Sequence, residues 1–455
     1  MRLTGQELMQ ASQGEWVGGK QADVVEGIGT DTRHFVKGHA FLALRGPHFD
    51  GHAYAQHVAD DAAALIGDEA GVLQWQTLST PQLKVADTLH SLGDIAGFYR
   101  SRLQHTRVIA ITGSYGKTTV RSMLEHATRA LAMDVAATKA NLNNLIGVPK
   151  TLLNIEMNTD IALVECGISE QGEMLRLSEI VQPDVVVVTG LSQAHGEGLG
   201  GTRGVAREKA QLLAHLRQDG WAVLGRGVAD AFAQVGCPVE HALTMESPDA
   251  VAWLLQGKTL TLKHGQSSCQ LDLLLPARHW AEDMALAATV MLRLAQDLRK
   301  TWTLQEIGAA LASWQPVQGR MTIHALPGFT LIDDAYNANP VSMQAALDTL
   351  AALEGYRIAI LGDMLELGED AKQLHQQLDL HDIDEVLTVG HLMAGLAATH
   401  PDTNIYHFQD IQALNDWLLR QDFPVADSTV LVKGSHGTGL YAISQLLQER
   451  GQHVI

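Results

Sequence analysis

A glycine-rich loop that ends in a lysine and two hydroxyls offers the clearest chemistry in the sequence. Residues 112–119 read Thr-Gly-Ser-Tyr-Gly-Lys-Thr-Thr, between a β-branched run and a helical pattern. Backbone N–H groups and the positive helix end of such a loop face an anion, while Lys117 adds a point charge and Thr118 can hold a metal ion. The pattern predicts binding of a nucleoside triphosphate with magnesium. The predicted contacts are Gly113, Ser114, Gly116, Lys117, Thr118 and Thr119.

The loop is shorter than the common phosphate-binding pattern, because Ile111 stands where the earlier glycine would fall. The alternative interpretation is a strand-to-helix turn that uses glycine only for tight geometry. The strand before the loop and the helix after it favour the phosphate-binding interpretation.

Two further polar residues follow predicted strands. Glu165 ends the run 161–165, and His195 lies shortly after the run 185–189. Ligands of α/β proteins lie outside the carboxyl ends of the strands, so Glu165 is a candidate magnesium ligand and His195 a candidate for metal or phosphate. The alternatives are a carboxylate that caps a helix and a structural histidine.

Other segments leave more than one interpretation open. Lys209 lies in a helical pattern and, taken alone, reads as a solvated lysine paired with neighbouring acids. The polar loop 141–149, with Asn144, could hold a phosphate or a sugar, or could serve turn formation only.

Near the end of the chain, the loop 333–340 carries two acids, a phenol and two amides, and a cation and a hydroxyl follow a later strand. Contact with a substrate or nucleotide is the favoured interpretation for this group. Its candidate residues are Asp334, Asn337, Asn339, Lys433 and Ser435.

The elements that must position these residues alternate between strands and helices. From residue 108 to about 314, the apolar runs 161–164, 185–189 and 221–224 have the character of buried parallel strands, with helices between them. The alternation predicts an α/β fold with a doubly wound, mostly parallel sheet. After a linker at 316–320 it resumes, with strands at 331–333, 358–361, 386–389 and 430–432 and helices at 342–353 and 411–419.

The length of 455 residues is too great for one core and suggests about three domains. We place them at 1–82, which has short strands and dense turns, 83–315, which contains the phosphate loop, and 316–455, which is Rossmann-like. No apolar run is long enough to span a bilayer, and the first residues lack a signal-peptide core.

The composition narrows the possible partners. A formal charge of −19 argues against nucleic acid and implies that an anionic substrate is held by local cations and helix ends. The three cysteines have no metal-ligand spacing and fit a reducing, cytoplasmic compartment. No feature for self-association stands out, so we expect a monomer.

Together these segments resemble the Mur ligase family, the ATP-dependent ligases that build the peptide stem of bacterial peptidoglycan. The resemblance covers nearly the whole chain. It rests on the loop 112–119, the segments 143–149 and 165–167, His195, Lys209, and three later segments at 334–340, 361–368 and 433–435. The segments 31–33 and 49–52 resemble the first domain of the branch that joins D-alanyl-D-alanine to UDP-N-acetylmuramoyl-tripeptide.

The resemblance implies a role for each candidate residue. Lys117 would contact the ATP phosphates and Thr118 the first magnesium, while Glu165 and His195 would serve the metals. Lys209 would be carbamylated by CO2 and become an anionic partner of magnesium. Asn144 would lie near the transferred phosphate, and Arg320 and Asp334 would reach ATP from the third domain. The substrate-side residues would be Thr32, Arg33, Asn337, Asn339, Lys433 and Ser435.

Four positions depart from the family pattern, and one of them is Leu145, which replaces a common acid. Trp280 and Asp283 stand where the family has two asparagines on the adenine side, and His436 replaces an arginine near the expected amine site. Two other hypotheses therefore stay open. One is a ligase of this type with a different amino substrate, and the other is a nucleotide-binding regulatory protein that has lost turnover.

Overall fold

The computed structural model describes residues 1–192, 199–239, 242–421 and 423–453. Strands and helices alternate along most of this chain, and the two largest sheets are mainly parallel. The α/β class predicted from the sequence is confirmed. Within the described residues, no helix has the length and apolar character needed to cross a membrane.

The first hundred residues form short strands and three helices around a small core that contains Phe41, Leu65 and Trp75. The main sheet here has the order β2-β9-β8-β5-β4, in which β8 pairs in parallel with both β5 and β9. The elements are β1 (Leu3–Thr4), α1 (Gly5–Ser12), β2 (Glu15–Trp16), β3 (Val24–Val25), β4 (Ile28–Gly29), β5 (Ala40–Leu42), β6 (Arg45–Gly46), β7 (Phe49–Asp50), β8 (Ala64–Gly67), α2 (Glu69–Gln74), β9 (Gln82–Lys84) and α3 (Thr88–Arg102).

The next segment contains the phosphate loop between a buried strand and a long helix. Its strands β10–β15 have the order β11-β12-β10-β13-β14-β15, and β10 pairs in parallel with β12. The elements are β10 (Arg107–Thr112), α4 (Lys117–Ala130), β11 (Val135–Ala137), α5 (Gly147–Leu153), β12 (Ile161–Glu165), α6 (Glu173–Val181), β13 (Val185–Val188), α7 (Gly201–Ala210), β14 (Trp221–Leu224), α8 (Val228–Gln234) and β15 (Ala242–Thr244). The apolar runs in the sequence are therefore the parallel strands that they predict.

The alternation breaks after β15, where the sequence analysis did not expect an antiparallel sheet. Strands β16 (Ala252–Gln256), β17 (Thr259–His264) and β18 (Ser267–Asp272) form two consecutive hairpins. Gly257 and Gly265 lie at φ +58° and +57°, the left-handed conformation that tight hairpin turns require. The helices α9 (Arg278–Asp297) and α10 (Leu304–Ala312) follow.

The last 130 residues form a second large sheet, with the order β19-β20-β24-β21-β22-β23. Only β19 is antiparallel to its neighbour. The elements are β19 (Thr322–Leu326), β20 (Phe329–Asp334), α11 (Pro340–Ala351), β21 (Tyr356–Gly362), α12 (Ala371–Gln376), β22 (Glu385–Val389), α13 (Leu396–Thr399), β23 (Asn404–Phe408), α14 (Ile411–Arg420), β24 (Ser428–Lys433) and α15 (Tyr441–His453). The strands and helices predicted for this segment are confirmed, with shifted ends.

The contacts divide the chain into two compact units, each built from separate stretches of sequence. Unit 1 comprises residues 1–111, 133–186 and 211–221, and unit 2 comprises 112–132, 187–210 and 222–455.

Unit 1 contains a fully buried arginine. The Arg100 guanidinium donates to the carboxylate of Asp184 at 2.7 Å and to the carbonyls of Val181 and Gln182, each at 2.9 Å. Burial lowers the pKa of Arg100 to about 10, and the charge of Asp184 opposes this shift. The pair joins α3, which carries Arg100, to the segment before β13. Asp184 also links this segment to β10, because its carboxylate accepts from the Val108 amide at 2.8 Å.

Asp184→Ala should lower the free energy of unfolding by about 3–5 kcal/mol, since it leaves the Arg100 charge buried without its carboxylate. The measurement is urea unfolding followed by circular dichroism. Arg102→Ala is the matched control, because Arg102 is 40% exposed in its ion pair with Glu7 and should contribute less than about 1 kcal/mol. Equal losses in the two variants would contradict the assignment.

Candidate active site

The phosphate loop of unit 2 depends on two glycines. Gly116, the last residue before α4, lies at φ +77°, and a Cβ there would stand 3.1 Å from Oδ1 of Asp283. A Cβ on Gly113 would overlap the hydroxyl of Thr189. Both positions therefore require glycine, and the tight turn directs the N-terminus of α4 at the loop, as a phosphate site needs.

Residues that follow β13 hold the loop in shape. The Ser114 amide donates to the Gly190 carbonyl at 2.7 Å, and its hydroxyl donates to the Ser192 carbonyl at 3.2 Å. The hydroxyl of Thr189 donates to the Tyr115 carbonyl. The sequence analysis missed Thr189 and Ser192, although their place at the carboxyl end of an all-valine strand was a usable signal.

Lys117 and Thr118 begin helix α4 as predicted. The Lys117 ammonium donates to the Gly113 carbonyl at 2.8 Å, so the side chain folds back along the loop. Thr118 is 6% exposed, and Thr119 beside it is half-buried. The cation and the first-turn hydroxyl thus both belong to the loop and the first turn of α4, and their contact with a polyphosphate stays a prediction.

In unit 1, Glu165 ends β12 and is only 2% exposed. Its Oε1 accepts a hydrogen bond from the Asn143 amide group at 3.1 Å, and Glu165 is in register with Ile111 of β10. Asn144 is exposed, and its Oδ1 accepts from the amides of Ile146 and Gly147, so this side chain closes the turn before α5. The loop therefore has the turn chemistry that the sequence allowed, and the phosphate role of Asn144 stays a prediction.

The two remaining candidates of the central segment are His195 and Lys209. His195 lies outside the described residues. Lys209 lies at the end of α7 and is 1% exposed, so the interpretation as a solvated lysine, made from its helical pattern alone, is wrong. The pattern failed because the face of a short helix that is buried depends on tertiary packing. Within the described residues, no three His, Cys, Asp or Glu side chains group as a metal site.

The C-terminal candidates of unit 2 come together at the carboxyl ends of β20 and β24 in the second sheet. Lys433 is 2% exposed and donates to Asp334 at 2.6 Å and to the Asn337 carbonyl at 3.0 Å. The hydroxyl of Ser435 donates to the Ala338 carbonyl at 3.3 Å. Burial raises the pKa of Asp334, while the charge of Lys433 opposes this shift.

A row of cationic and aromatic side chains continues from this cluster. The Arg320 guanidinium lies 4.3 Å from the centre of the Tyr336 ring, which meets His436 edge-on at 6.1 Å. His436 in turn stacks on Tyr441 at 6.0 Å. His436, which stands where the family has an arginine, is thus an exposed imidazole between the rings of Tyr336 and Tyr441.

Helix α9 carries the two residues that stand in place of the family asparagines, and their surroundings differ. Trp280 is 2% exposed and packs edge-on against Trp314 at 5.3 Å, so it is a core residue. Asp283 faces the phosphate loop at Gly116, and its charge, with that of Glu282, raises the pKa of Tyr115 beyond the main effect of burial. Asp283 therefore lies beside the phosphate loop, whereas the sequence indicated it only as a departure from the family pattern.

The first-segment candidates lie on the surface of unit 1. Asp31 accepts from the Arg33 side chain at 2.6 and 2.9 Å, and its carboxylate also caps the short turn Thr32–His34. The Arg33 guanidinium holds the pKa of Asp31 well below its ordinary value. The Arg33 side chain is 81% exposed, so it is accessible to an anionic ligand.

Comparison with known proteins assigns the chain to a family. The Mur ligase middle domain matches residues 111–291, and the Mur ligase glutamate ligase domain matches residues 319–436. The UDP-N-acetylmuramoyl-tripeptide–D-alanyl-D-alanine ligase of Escherichia coli K12 is 33% identical over 99% of both chains. The chain belongs to the Mur ligase family.

Solved structures agree with this membership. MurF from Acinetobacter baumannii has a TM-score of 0.85 and 30% identity, with 99% of each chain covered. MurF from Thermotoga maritima, solved in complex with ADP, has a TM-score of 0.77 and 23% identity, and covers 93% of this chain and 97% of its own. The family fold thus extends over the whole length of this ligase.

Asp283→Asn should raise the melting temperature at pH 8, with a difference that shrinks towards pH 4. Burial, with the charge of Glu282, raises the pKa of Asp283 well above its ordinary value. The folded chain therefore binds this proton more tightly than the unfolded chain, and stability is lost as the pH rises through the raised pKa. The measurement is the melting temperature from pH 4 to pH 8.

Glu282→Gln is the matched control for this variant. It should shift the melting temperature in the same direction but less, because the charge of Glu282 is a smaller cause than burial. A difference between Asp283→Asn and the unsubstituted chain that is the same at every pH would contradict the account.

Proposed function

We propose that the chain is an ATP-dependent ligase that joins D-alanyl-D-alanine to UDP-N-acetylmuramoyl-tripeptide and releases ADP and phosphate. The observation that carries this proposal is the geometry of the phosphate loop. It occurs in a chain that the UDP-N-acetylmuramoyl-tripeptide–D-alanyl-D-alanine ligases of Escherichia coli K12 and Haemophilus influenzae match over 99% and 92% of its length. The product is a peptidoglycan precursor, and the reaction belongs in the cytoplasm, where ATP and reduced cysteines occur.

The chemistry follows from the weak reactivity of a carboxylate. The terminal carboxylate of the tripeptide attacks the γ-phosphorus of ATP, ADP leaves, and an acyl phosphate forms. The dipeptide amine then attacks the acyl carbon, loses a proton, and expels phosphate as the amide bond forms. Lys117 and the N-terminus of α4 stabilise the negative charge on the phosphates during the first step.

Magnesium fits the donors that the chain offers. Thr118 provides a buried hydroxyl, and Glu165 a buried carboxylate whose orientation Asn143 fixes. We assign Thr118 to the first ion and propose that Glu165 and His195 serve the metals, since magnesium takes few protein ligands and completes its shell with phosphates and water. The bound ions would neutralise the charge that phosphoryl transfer spreads over the phosphate oxygens.

We assign the nucleotide and substrate contacts to three domains, 1–82, 83–315 and 316–455. Thr32 and Arg33 would hold the UDP-sugar, in line with the exposure of Arg33. Asn144 would reach the transferred phosphate, and Arg320 and Asp334 would reach ATP. The amine substrate would meet the group around Lys433, which consists of Asn337, Asn339, Lys433 and Ser435.

We further propose that Lys209 is carbamylated by CO2. Burial of an amine favours its neutral form, which is the form that attacks CO2 and then loses a proton to give a carbamate. Lys209 is 1% exposed, and Glu208 beside it is 6% exposed. The carbamate would replace the buried amine by an anion that can act as a partner of magnesium.

ADP release measures the proposed function. We expect release with UDP-N-acetylmuramoyl-tripeptide and D-alanyl-D-alanine together, and none when the dipeptide is omitted. Lys117→Ala should lower kcat by at least about a hundredfold, because a preorganised charge at the transferred phosphate is lost. Release only with a different amine would favour another substrate, and no release under any condition would favour a regulatory protein without turnover.

Lys209→Ala should lose activity and regain part of it when short carboxylates such as formate are added, because they replace the anionic group. Arg207→Ala is the matched control, since Arg207 is exposed on the same helix and should keep full activity. Full activity of Lys209→Ala without any additive would rule out the carbamate role.

A further inference from the structure

The side chain of Asn339 has hydrogen bonds at both ends of its amide group. Its Oδ1 accepts from the Ser342 amide at 2.9 Å and caps helix α11. Its Nδ2 donates to the carbonyl of Ser114, in the middle of the phosphate loop, at 3.3 Å. The cap fixes the orientation of the amide group, and this orientation directs the donor at the loop.

The helix cap does not depend on the contact with Ser114. The backbone N–H of Asn339 donates to the Ser342 hydroxyl at 3.0 Å, and Pro340 occupies the first helical position. These bonds satisfy the start of α11 without any help from Ser114. The contact with the phosphate loop is therefore a second task of the side chain, separate from helix formation.

The loop 334–340 is also held from its other side. Lys433 donates to the Asn337 carbonyl and Ser435 to the Ala338 carbonyl, while Ser435 accepts from the Leu365 amide at 2.9 Å. Two adjacent residues of this loop are thus held from opposite sides: Asn339 by its bond to Ser114 of the phosphate loop, and Ala338 by the Ser435 hydroxyl.

We propose that Asn339 acts within the group around Lys433 as a positioning residue, which couples the phosphate loop to the loop 334–340 and so sets the placement of Asn337 and Lys433 for the amine step. This deepens the proposed function and rests on it. The Ser114 amide and hydroxyl keep their partners Gly190 and Ser192 when the Asn339 contact is lost. Loss of Asn339 should therefore weaken the amine step and leave the nucleotide site intact.

Two substitutions separate the tasks of Asn339. Asn339→Ser and Asn339→Asp both keep a good helix cap, but serine is too short to reach Ser114, and aspartate presents an oxygen to the carbonyl. We expect kcat/KM for D-alanyl-D-alanine to fall about fivefold in the serine variant, the factor that one neutral hydrogen bond contributes, and further in the aspartate variant. The Kd of a non-hydrolysable ATP analogue with magnesium should change less than twofold.

Hydrogen exchange of the backbone amides provides a readout that does not need turnover. With the ATP analogue bound, the amides of residues 335–338 should exchange faster in Asn339→Ser than in the unsubstituted chain. Ser342→Ala is the matched control, because it removes the two hydrogen bonds between the Ser342 hydroxyl and the backbone of Asn339 but keeps the contact of Asn339 with Ser114. Exchange at residues 335–338, kcat/KM and nucleotide affinity should therefore stay as they were.

A role in capping alone predicts the opposite pattern. Both cap-preserving variants would then match the unsubstituted chain in kcat/KM and in exchange, and that result would overturn the proposal. Melting temperatures verify that each variant is folded. If the unsubstituted chain shows no ligase turnover, the proposed function fails, while the exchange experiment still decides whether Asn339 couples the two loops.

Discussion

A chain with a net charge of −19 that binds a triphosphate must create positive potential at one place, against the field of its own surface. In the function we propose, the phosphate loop does this with backbone N–H groups, a helix N-terminus and one ammonium group. The geometry is possible only because Gly113 and Gly116 have no side chains, since a Cβ on either would meet Thr189 or Asp283. The rest of the fold supports this arrangement.

The buried charges of the chain indicate how that support is organised. Arg100 with Asp184 and Lys433 with Asp334 form buried ion pairs. Each carboxylate also accepts a hydrogen bond from a backbone amide, so protein groups replace the water that a buried charge has lost. Such pairs contribute little net stability but fix geometry, because breaking them leaves a charge buried. Lys433 and Asp334 use this property to hold the loop 334–340, which carries the amine-side candidates.

The sequence predicted the parts of the site whose local pattern is sufficient. The glycine loop, the strand that ends in Glu165 and the Lys433–Ser435 segment are each a strand followed by polar residues, and β10, β12 and β24 are where the pattern indicates. Family resemblance was needed for Lys209, because the periodicity of a short helix does not reveal which face is buried.

Contacts between distant segments could not be predicted in this way. The bonds of Ser114 to Gly190, Ser192 and Asn339 join residues that are about 75 to 225 positions apart, and no local pattern encodes them. The hairpins of β16–β18 were missed for a different reason. Apolar and polar residues alternate in these strands, as in half-buried strands, but this segment was interpreted as part of the strand–helix pattern of the central domain. Asp283 drew notice as a departure, while its place beside Gly116 needed the fold.

The most direct measurement of the central claim is a crystal structure of the chain with a non-hydrolysable ATP analogue and magnesium. The account predicts the terminal phosphates at the backbone amides of residues 115–118, with the Lys117 ammonium within about 3 Å of a phosphate oxygen. Phosphates bound elsewhere, or an ordered loop whose Lys117 points into solvent while the analogue is bound, would contradict it.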